Sequence, residues 1–350
     1  MKKSITVRAL VATATLALGA GLLSSPSVAE PRSDAAPKRQ DDGFAIAEHD
    51  LNANGSNSAR QSARDYWTPE RMASAKPANQ TFNKADLKAS ARMAATEKVA
   101  PGIGSEPTAG EPAVMRDAAR KSYSRRVGKM FYKFGKQNWV CSGAVVNSKK
   151  KNMVMTAAHC LWDKKKGWAK KIIFVPGYTK KGKSPYGRWY AEKVAIPKRW
   201  KRWGGRKELP QADYGIMLVE NRRPKGKNIA RKVGAYGLQW GVRKWRRKYK
   251  ATGYPSFGKH SGRQQKSCKN RSRLWKKHSS PRSGWGLLKM KCRAVTGGSS
   301  GGPWLHKGRI NGQNALVNSF KKPRWVATPW LAGGMKKLYR KYRKSDPKGR

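Results

Sequence analysis

Acidic residues are scarce in this chain: 19 Asp and Glu stand against 78 Lys and Arg in 350 residues, a formal net charge of +59. Solubility of a globular domain asks for far less, so the excess needs another explanation. Other absences narrow the field. Glycine has no three-residue period, which excludes a collagen-like chain. There is no Cys-x-x-Cys pair and no His-Glu-x-x-His string, so zinc has no obvious ligand set. After the N-terminal region no stretch is long and apolar enough to span a bilayer. Cysteine is limited to four positions, Cys141, Cys160, Cys268 and Cys292.

What is present is unevenly placed. Before residue 122 lie 13 acidic residues and 17 Lys and Arg, whereas the rest of the chain holds 61 Lys and Arg and only 6 acidic residues. Hydrophobic residues make up 38% and aromatics 9%, enough to build a core in part of the chain. A compact basic region therefore follows an N-terminal segment of different character. That segment opens with Lys2, Lys3 and Arg8, continues with the apolar run from Ala9 to Leu23, and reaches the small-x-small string Ser27-Val28-Ala29. Residues 1–29 read as a secretory signal peptide, so the product is expected to be secreted and extracellular. Residues 30–121 are rich in Ala, Pro, Asn, Ser and charge, with aromatics only at Phe44, Tyr66, Trp67 and Phe82. They show no sustained core pattern and read as a poorly structured pro-peptide or flexible leader.

All four cysteines follow this leader, and an even number in an exported chain points to two disulfides. Three pairings are open. The local one, Cys141 with Cys160 and Cys268 with Cys292, closes two loops of similar size and is favoured, each loop contributing on the order of 3 kcal/mol.

After residue 122 the chain reads as short strands rich in Val, Ile, Tyr, Phe and Trp, broken by Gly, Pro, Asn and Lys clusters. The candidates are 129–134, 139–146, 152–156, 171–176, 189–196, 214–219, 248–254, 286–292, 304–305 and 315–320. Such a pattern predicts an all-β barrel or sandwich. The end differs: Leu331, Met335, Leu338 and Tyr342 have helical spacing, predicting a C-terminal helix over about 330–344 with a basic outer face.

The most specific string is Thr296-Gly297-Gly298-Ser299-Ser300-Gly301-Gly302-Pro303. Glycines let the backbone turn sharply, and a serine at the apex presents its hydroxyl beside free amide groups, the arrangement a nucleophile needs. A Gly/Ser linker is the plainer reading, but linkers seldom run into a Pro-Trp-Leu strand start. A serine requires a base. His260 and His278 sit in Lys/Arg/Ser-rich stretches, and His306 lies only a few residues from Ser300. His159 follows the apolar Met153-Val154-Met155 and the small Thr156-Ala157-Ala158, and precedes Cys160, so it is the best base. An orienting carboxylate must come from Asp163, Glu192, Glu208, Asp213, Glu220 or Asp346. Asp213, which opens the apolar run from Tyr214 to Val219, is the candidate by context.

Taken together, Cys141-Ser142-Gly143, Thr156-Ala157-Ala158-His159-Cys160, Ala212-Asp213-Tyr214-Gly215-Ile216-Met217-Leu218 and Gly298-Ser299-Ser300-Gly301-Gly302-Pro303 resemble the chymotrypsin-like (trypsin-like) serine peptidases, in the family's order of His, Asp, Ser. The strings Val127-Gly128-Lys129-Met130-Phe131-Tyr132 and Thr296 to Trp304 look most like the bacterial secreted branch related to glutamyl endopeptidases. The resemblance covers residues 123–340. It implies two six-stranded antiparallel β-barrels, about 123–225 and 226–329, with the active site between them, a Cys141–Cys160 bridge, and the C-terminal helix. It also implies that Ser300 attacks the scissile carbonyl, His159 moves the proton, Asp213 holds the imidazole, and the Gly298 and Ser300 amides form an oxyanion hole, with no cofactor and no metal.

Animal trypsins carry an acidic residue just before the nucleophile, to receive the amine freed on activation. This chain has Ser299 there, so that switch does not operate, although cleavage at the dibasic Arg125-Arg126 remains an expected activation route. By resemblance the stretch 315–320, ending Asn318-Ser319-Phe320 before Lys321-Lys322, lines the first specificity pocket. No acidic residue lies near it, which disfavours Lys or Arg in the substrate; a basic pocket would favour Glu or Asp.

The rival reading starts from the charge. Arg199-Trp200-Lys201-Arg202-Trp203 and the run from Arg243 to Lys250 interleave cations with Trp, as a polyanion-binding or antimicrobial protein on a peptidase scaffold would, its partners being acidic polysaccharide, nucleic acid or an anionic cell envelope. The plainer account of each Trp is barrel core with the cations solvated. A polypeptide is the expected substrate on the first reading.

Overall fold

The structure, a computed structural model, describes residues 45–52, 56–78, 100–110, 124–203, 210–221, 228–275 and 286–346. The expected signal peptide, Phe44, Phe82, Glu208 and His278 lie outside the described residues.

Six strands close into a ring. Val127–Phe134 turns at Gly135, whose φ of 56° suits a two-residue hairpin, into Gln137–Val146. The ring continues through Met153–Thr156, Gly215–Val219, Trp189–Pro197 and Lys170–Pro176, which pairs back to Val127–Phe134. This is the first barrel. Its strands are buried on both faces, because one face fills the barrel and the other meets the second half of the molecule. Met130, Val145, Val154, Phe174, Trp189 and Met217 belong to the inner cluster, each fully buried. Burial of each such side chain contributes roughly 1.5–3 kcal/mol.

The second barrel consists of two hydrogen-bonded sheets. One contains Lys266–Arg271, Lys248–Gly253, Pro303–His306, Arg309–Gln313 and Gly237–Trp240; the other contains Arg273–Leu274, Leu287–Lys291, Trp325–Pro329 and Leu316–Val317. Tyr249, Leu288, Met290, Val295, Trp304 and Val326 form the core between them. The C-terminal helix, Gly333–Tyr342, buries Met335, Leu338, Tyr339 and Tyr342 against the cluster shared by the two barrels. Both disulfides take the local pairing, Cys141 with Cys160 and Cys268 with Cys292.

Most expected strands are present with their ends moved by a residue or two. The exception is the stretch 315–320, which forms a strand only at Leu316–Val317. There the Asn318 carboxamide oxygen accepts from the Arg324 and Trp325 amides and turns the chain.

Parts of the leader are built onto the barrels. Ile46–Asp50 adds an antiparallel strand to the outside of Trp189–Pro197, and Gly102–Ser105 pairs with Gly237–Trp240. After the helix Ser56–Tyr66, Trp67 is 1% exposed. Its ring lies 5.6 Å from that of Phe131, its Nε1 donates to the Lys171 carbonyl at 2.6 Å, and its carbonyl accepts from Arg188 at 2.7 Å. The dibasic Arg125-Arg126 is also held: the Arg126 carbonyl accepts from Val145 N at 2.9 Å and its guanidinium lies 5.4 Å over the Tyr236 ring. A cut after Arg126 would have to open this turn first.

Candidate active site

The first barrel supplies an imidazole and a carboxylate. The strand Met153–Thr156 ends in the single turn Ala158–Cys160, which the Cys141–Cys160 bridge ties to the neighbouring strand. His159 sits in that turn. Its Nδ1 is 2.8 Å from Asp213 Oδ2, and its backbone amide donates to Asp213 Oδ1 at 3.0 Å. Asp213 is fully buried at the end of the turn Pro210–Ala212, just before Gly215–Val219, the strand paired with Met153–Thr156. Pairing of these two strands therefore brings His159 and Asp213 together. A buried carboxylate in this position accepts from the imidazole, so Nδ1 carries the proton and Nε2 presents its lone pair. Nε2 is buried with no hydrogen-bond partner among the described residues. The nearby Tyr132 phenol is fully buried; desolvation, reinforced by the carboxylates of Asp163 and Asp213, pushes its pKa well up, so it stays neutral. Cys141, His159 and Cys160 lie within 4.8 Å of one another, but the two sulfurs are bonded to each other and offer no thiolate.

The second barrel supplies the serine. Gly298 and Gly301 have φ of 85° and 81°, and the loop between them is stitched to the first barrel. Ser142 N donates to the Ser300 carbonyl at 2.7 Å, and Ser142 Oγ donates to the Gly298 carbonyl at 2.9 Å. A methyl group on Gly301 would stand 2.8 Å from the Ala157 amide nitrogen, so this loop lies directly against the segment carrying His159. The Gly298 and Ser300 amides donate to no other backbone group among the described residues. Ser299 is fully buried and its hydroxyl has no partner among the described residues, and as a serine it offers no carboxylate to receive a freed amine.

Beside Ser300 is a small cavity lined by Val295, Thr296, Leu316, Val317, Phe320 and Val326, among others. Phe320 is on its wall as expected. Asn318 and Ser319 are not; their side chains accept hydrogen bonds from the Arg324, Trp325 and Lys322 amides and shape the loop instead. Lys321 and Lys322 do not line it either. Thr296, Val295 and Val326 were not singled out from sequence, although Thr296 stands within the serine string; its hydroxyl donates to the Phe320 carbonyl at 2.7 Å. Among the described residues, neither Trp200 nor Trp245 of the Trp-and-cation runs stands in an open stack. Trp200 is completely buried, and Trp245 packs edge-on to Trp330 at 5.0 Å. No helix among the described residues is long and apolar enough to cross a membrane.

A double barrel with this site between its halves is the architecture of the chymotrypsin-like serine peptidases, to which the chain is related. No protein-family model and no curated protein matches it. Among solved structures, protease Anisep from Arthrobacter nicotinovorans is 28% identical with a TM-score of 0.55, covering 64% of this chain and 98% of its own. The thermostable serine protease AL20 from an extremophilic microorganism is 26% identical with a TM-score of 0.54, covering 64% of this chain and 99% of its own.

Proposed function

We propose that this protein is a secreted serine endopeptidase that hydrolyses peptide bonds through an acyl-enzyme. The observation that carries the reading is the buried His159–Asp213 pair, bonded at 2.8 Å, on a segment packed against the Ser300 loop; among the described residues Nε2 has no hydrogen-bond partner, Ser300 Oγ included. Ser300 Oγ attacks the scissile carbonyl as its proton passes to His159 Nε2, and the imidazolium so formed is stabilised by Asp213. The carbonyl oxygen, now an anion, takes hydrogen bonds from the Gly298 and Ser300 amides, each worth about 3 kcal/mol in the transition state. Collapse of the tetrahedral species breaks the C–N bond, and His159 returns the proton to the departing amine. Water then repeats the sequence on the ester, with His159 again the base.

A serine-directed fluorophosphonate tests this reading. It labels the wild-type protein and not Ser300→Ala; failure to label the wild type would sink it. The apolar cavity beside Ser300 favours a small apolar side chain before the scissile bond, since a charged one would be buried there without a partner, at a cost of several kcal/mol. Peptides with Ala or Val at that position are expected to be cleaved at least tenfold faster than their Lys or Glu counterparts, and a reversed order would exclude this pocket as the selector.

A further inference from the structure

A second cavity, of about 320 Å³, opens on the other barrel loop that touches the serine string. Its walls come from Lys180 and from the segment after Lys248–Gly253: Pro255, Lys259, His260, Gly262 and Lys266, with Ser261 and Gln264 between them. This segment is fastened to the oxyanion loop, for Ser256 N donates to the Gly297 carbonyl at 2.7 Å, and a methyl group on Gly298 would stand 2.7 Å from Ser256 Oγ. The lining holds three lysines and no carboxylate.

Underneath lies a cation that the proposed chemistry does not use. Lys129, in the middle of strand Val127–Phe134, is 4% exposed. Its ammonium sits 5.1 Å over the Phe131 ring and 5.4 Å over the Tyr178 ring, and it has no carboxylate and no hydrogen-bond acceptor among the described residues. Only the hydrogen of a glycine separates it from the cavity: a methyl group on Gly262 would collide with Ser256 Oγ and stand 2.8 Å from Lys129 Nζ. A buried charge normally carries a partner, and one left alone is costly. Desolvation, with Arg263 adding repulsion, lowers the Lys129 pKa to about 7, and burial followed by Lys266 and Lys259 lowers that of His260. Both signs belong to a site short of negative charge.

We propose that this cavity is a subsite for a carboxylate side chain of the polypeptide substrate, held by Lys180, Lys259 and Lys266 at the rim and by Lys129 below. The inference rests on the endopeptidase reading and names the substrate class: polypeptides with Asp or Glu at one fixed distance from the scissile bond. A carboxylate there takes charge-assisted hydrogen bonds from the rim lysines and offsets the Lys129 charge across Gly262. Because the cavity adjoins the oxyanion loop, the carboxylate has one register relative to Ser300.

The test measures binding apart from catalysis. Full-length Ser300→Ala protein is titrated, at physiological salt, with blocked octapeptides that carry a single Glu walked through every position, each paired with its Gln counterpart. The expected result is a Glu preference of about tenfold at one position only, reduced to less than threefold by Lys129→Met and by Lys180→Ala combined with Lys259→Ala. The surface pair keeps the test decisive should Lys129→Met fold poorly. A Glu preference equal at all positions would be the general field of a +59 protein and would overturn the subsite. So would a preference that survives both variants, or inorganic phosphate binding in the cavity while the peptides discriminate nothing. If fluorophosphonate labelling of Ser300 fails while the positional Glu preference stands, the endopeptidase reading falls and the carboxylate site does not; labelling without the preference has the opposite meaning.

Discussion

The two barrels handle charge in opposite ways. The first buries three carboxylates, Glu192, Asp213 and Glu220, each 1% exposed or less; Asp213 pairs with His159, and Glu220 with Arg60 of the leader helix at 2.9 Å. The second has no Asp or Glu anywhere between residues 221 and 345, and its many cations face solvent or line the cavity over Lys129. One barrel is thus electrically closed and the other open. In the proposed reaction a negative charge must stay in place, and the first barrel would supply it in Asp213. In that proposal the second supplies the nucleophile, and one of its cations, Arg309, takes its carboxylate partner, Glu106, from the leader. Both barrels are strongly basic, so the contrast lies in where the acidic residues sit and not in the net charge.

The sharpest way to break that contrast is to discharge the closed side. Asp213→Asn keeps the shape but accepts poorly from an imidazole, favouring the wrong tautomer at His159. Peptide hydrolysis is expected to fall by about 10⁴ in kcat with little change in thermal midpoint. Steady-state kinetics beside a melting curve would check this, and a loss below tenfold would remove Asp213 from the mechanism.

This pair was legible in the sequence because chemistry restricts it severely: with six acidic residues after position 121 and one histidine in an apolar setting, elimination left little choice. The strands of both barrels were legible from β-branched and aromatic runs. The leader was not. None of the five residues of Ile46–Asp50 is fully buried, and the contacts of Glu48, His49 and Asp50 are polar or aromatic, so no alternation of apolar side chains announces the strand. Gly102–Ser105 contains two glycines that read as loop. They are there because the Trp240 indole lies on them; a methyl group at Gly102 would stand 2.7 Å from Trp240 Nε1. The cavity wall at Thr296 and Val326 was hidden for another reason: it is assembled from segments about thirty residues apart, which no local pattern joins.

The leader offers the second test, this time of what makes the first barrel closed. Trp67 fills space beside Phe131 and satisfies two backbone or side-chain partners at once. Trp67→Ala should destabilise the protein by about 3–5 kcal/mol, the usual cost of emptying a buried aromatic site. Denaturant unfolding of the full-length chain measures it. A cost under 1 kcal/mol would mean that the first barrel stands without the leader, and that residues 56–78 are cargo on its outside.

A third test bears on Lys129, a first-barrel residue packed under Gly262 of the second barrel's loop. Lys129 has a folded pKa of about 7, whereas an unfolded lysine titrates near its ordinary 10.5. Between these values the unfolded chain binds more protons than the native one, so stability rises with pH. Below pH 7 the native state carries the whole cost of a buried ammonium, on the order of 5 kcal/mol. Lys129→Met, which keeps the unbranched stem and drops the charge, should therefore raise stability by that order at pH 6, and by progressively less as the pH climbs towards 9.5. The comparison is of urea midpoints for the two proteins across that range. A bound carboxylate acts in the other direction: it restores the proton to Lys129, so an acidic peptide should stabilise the wild type most at pH 6 to 7 and Lys129→Met hardly at all. If the two proteins kept a constant difference at every pH, Lys129 would be charged and already partnered, and the cavity above it would have no need of a carboxylate from the substrate.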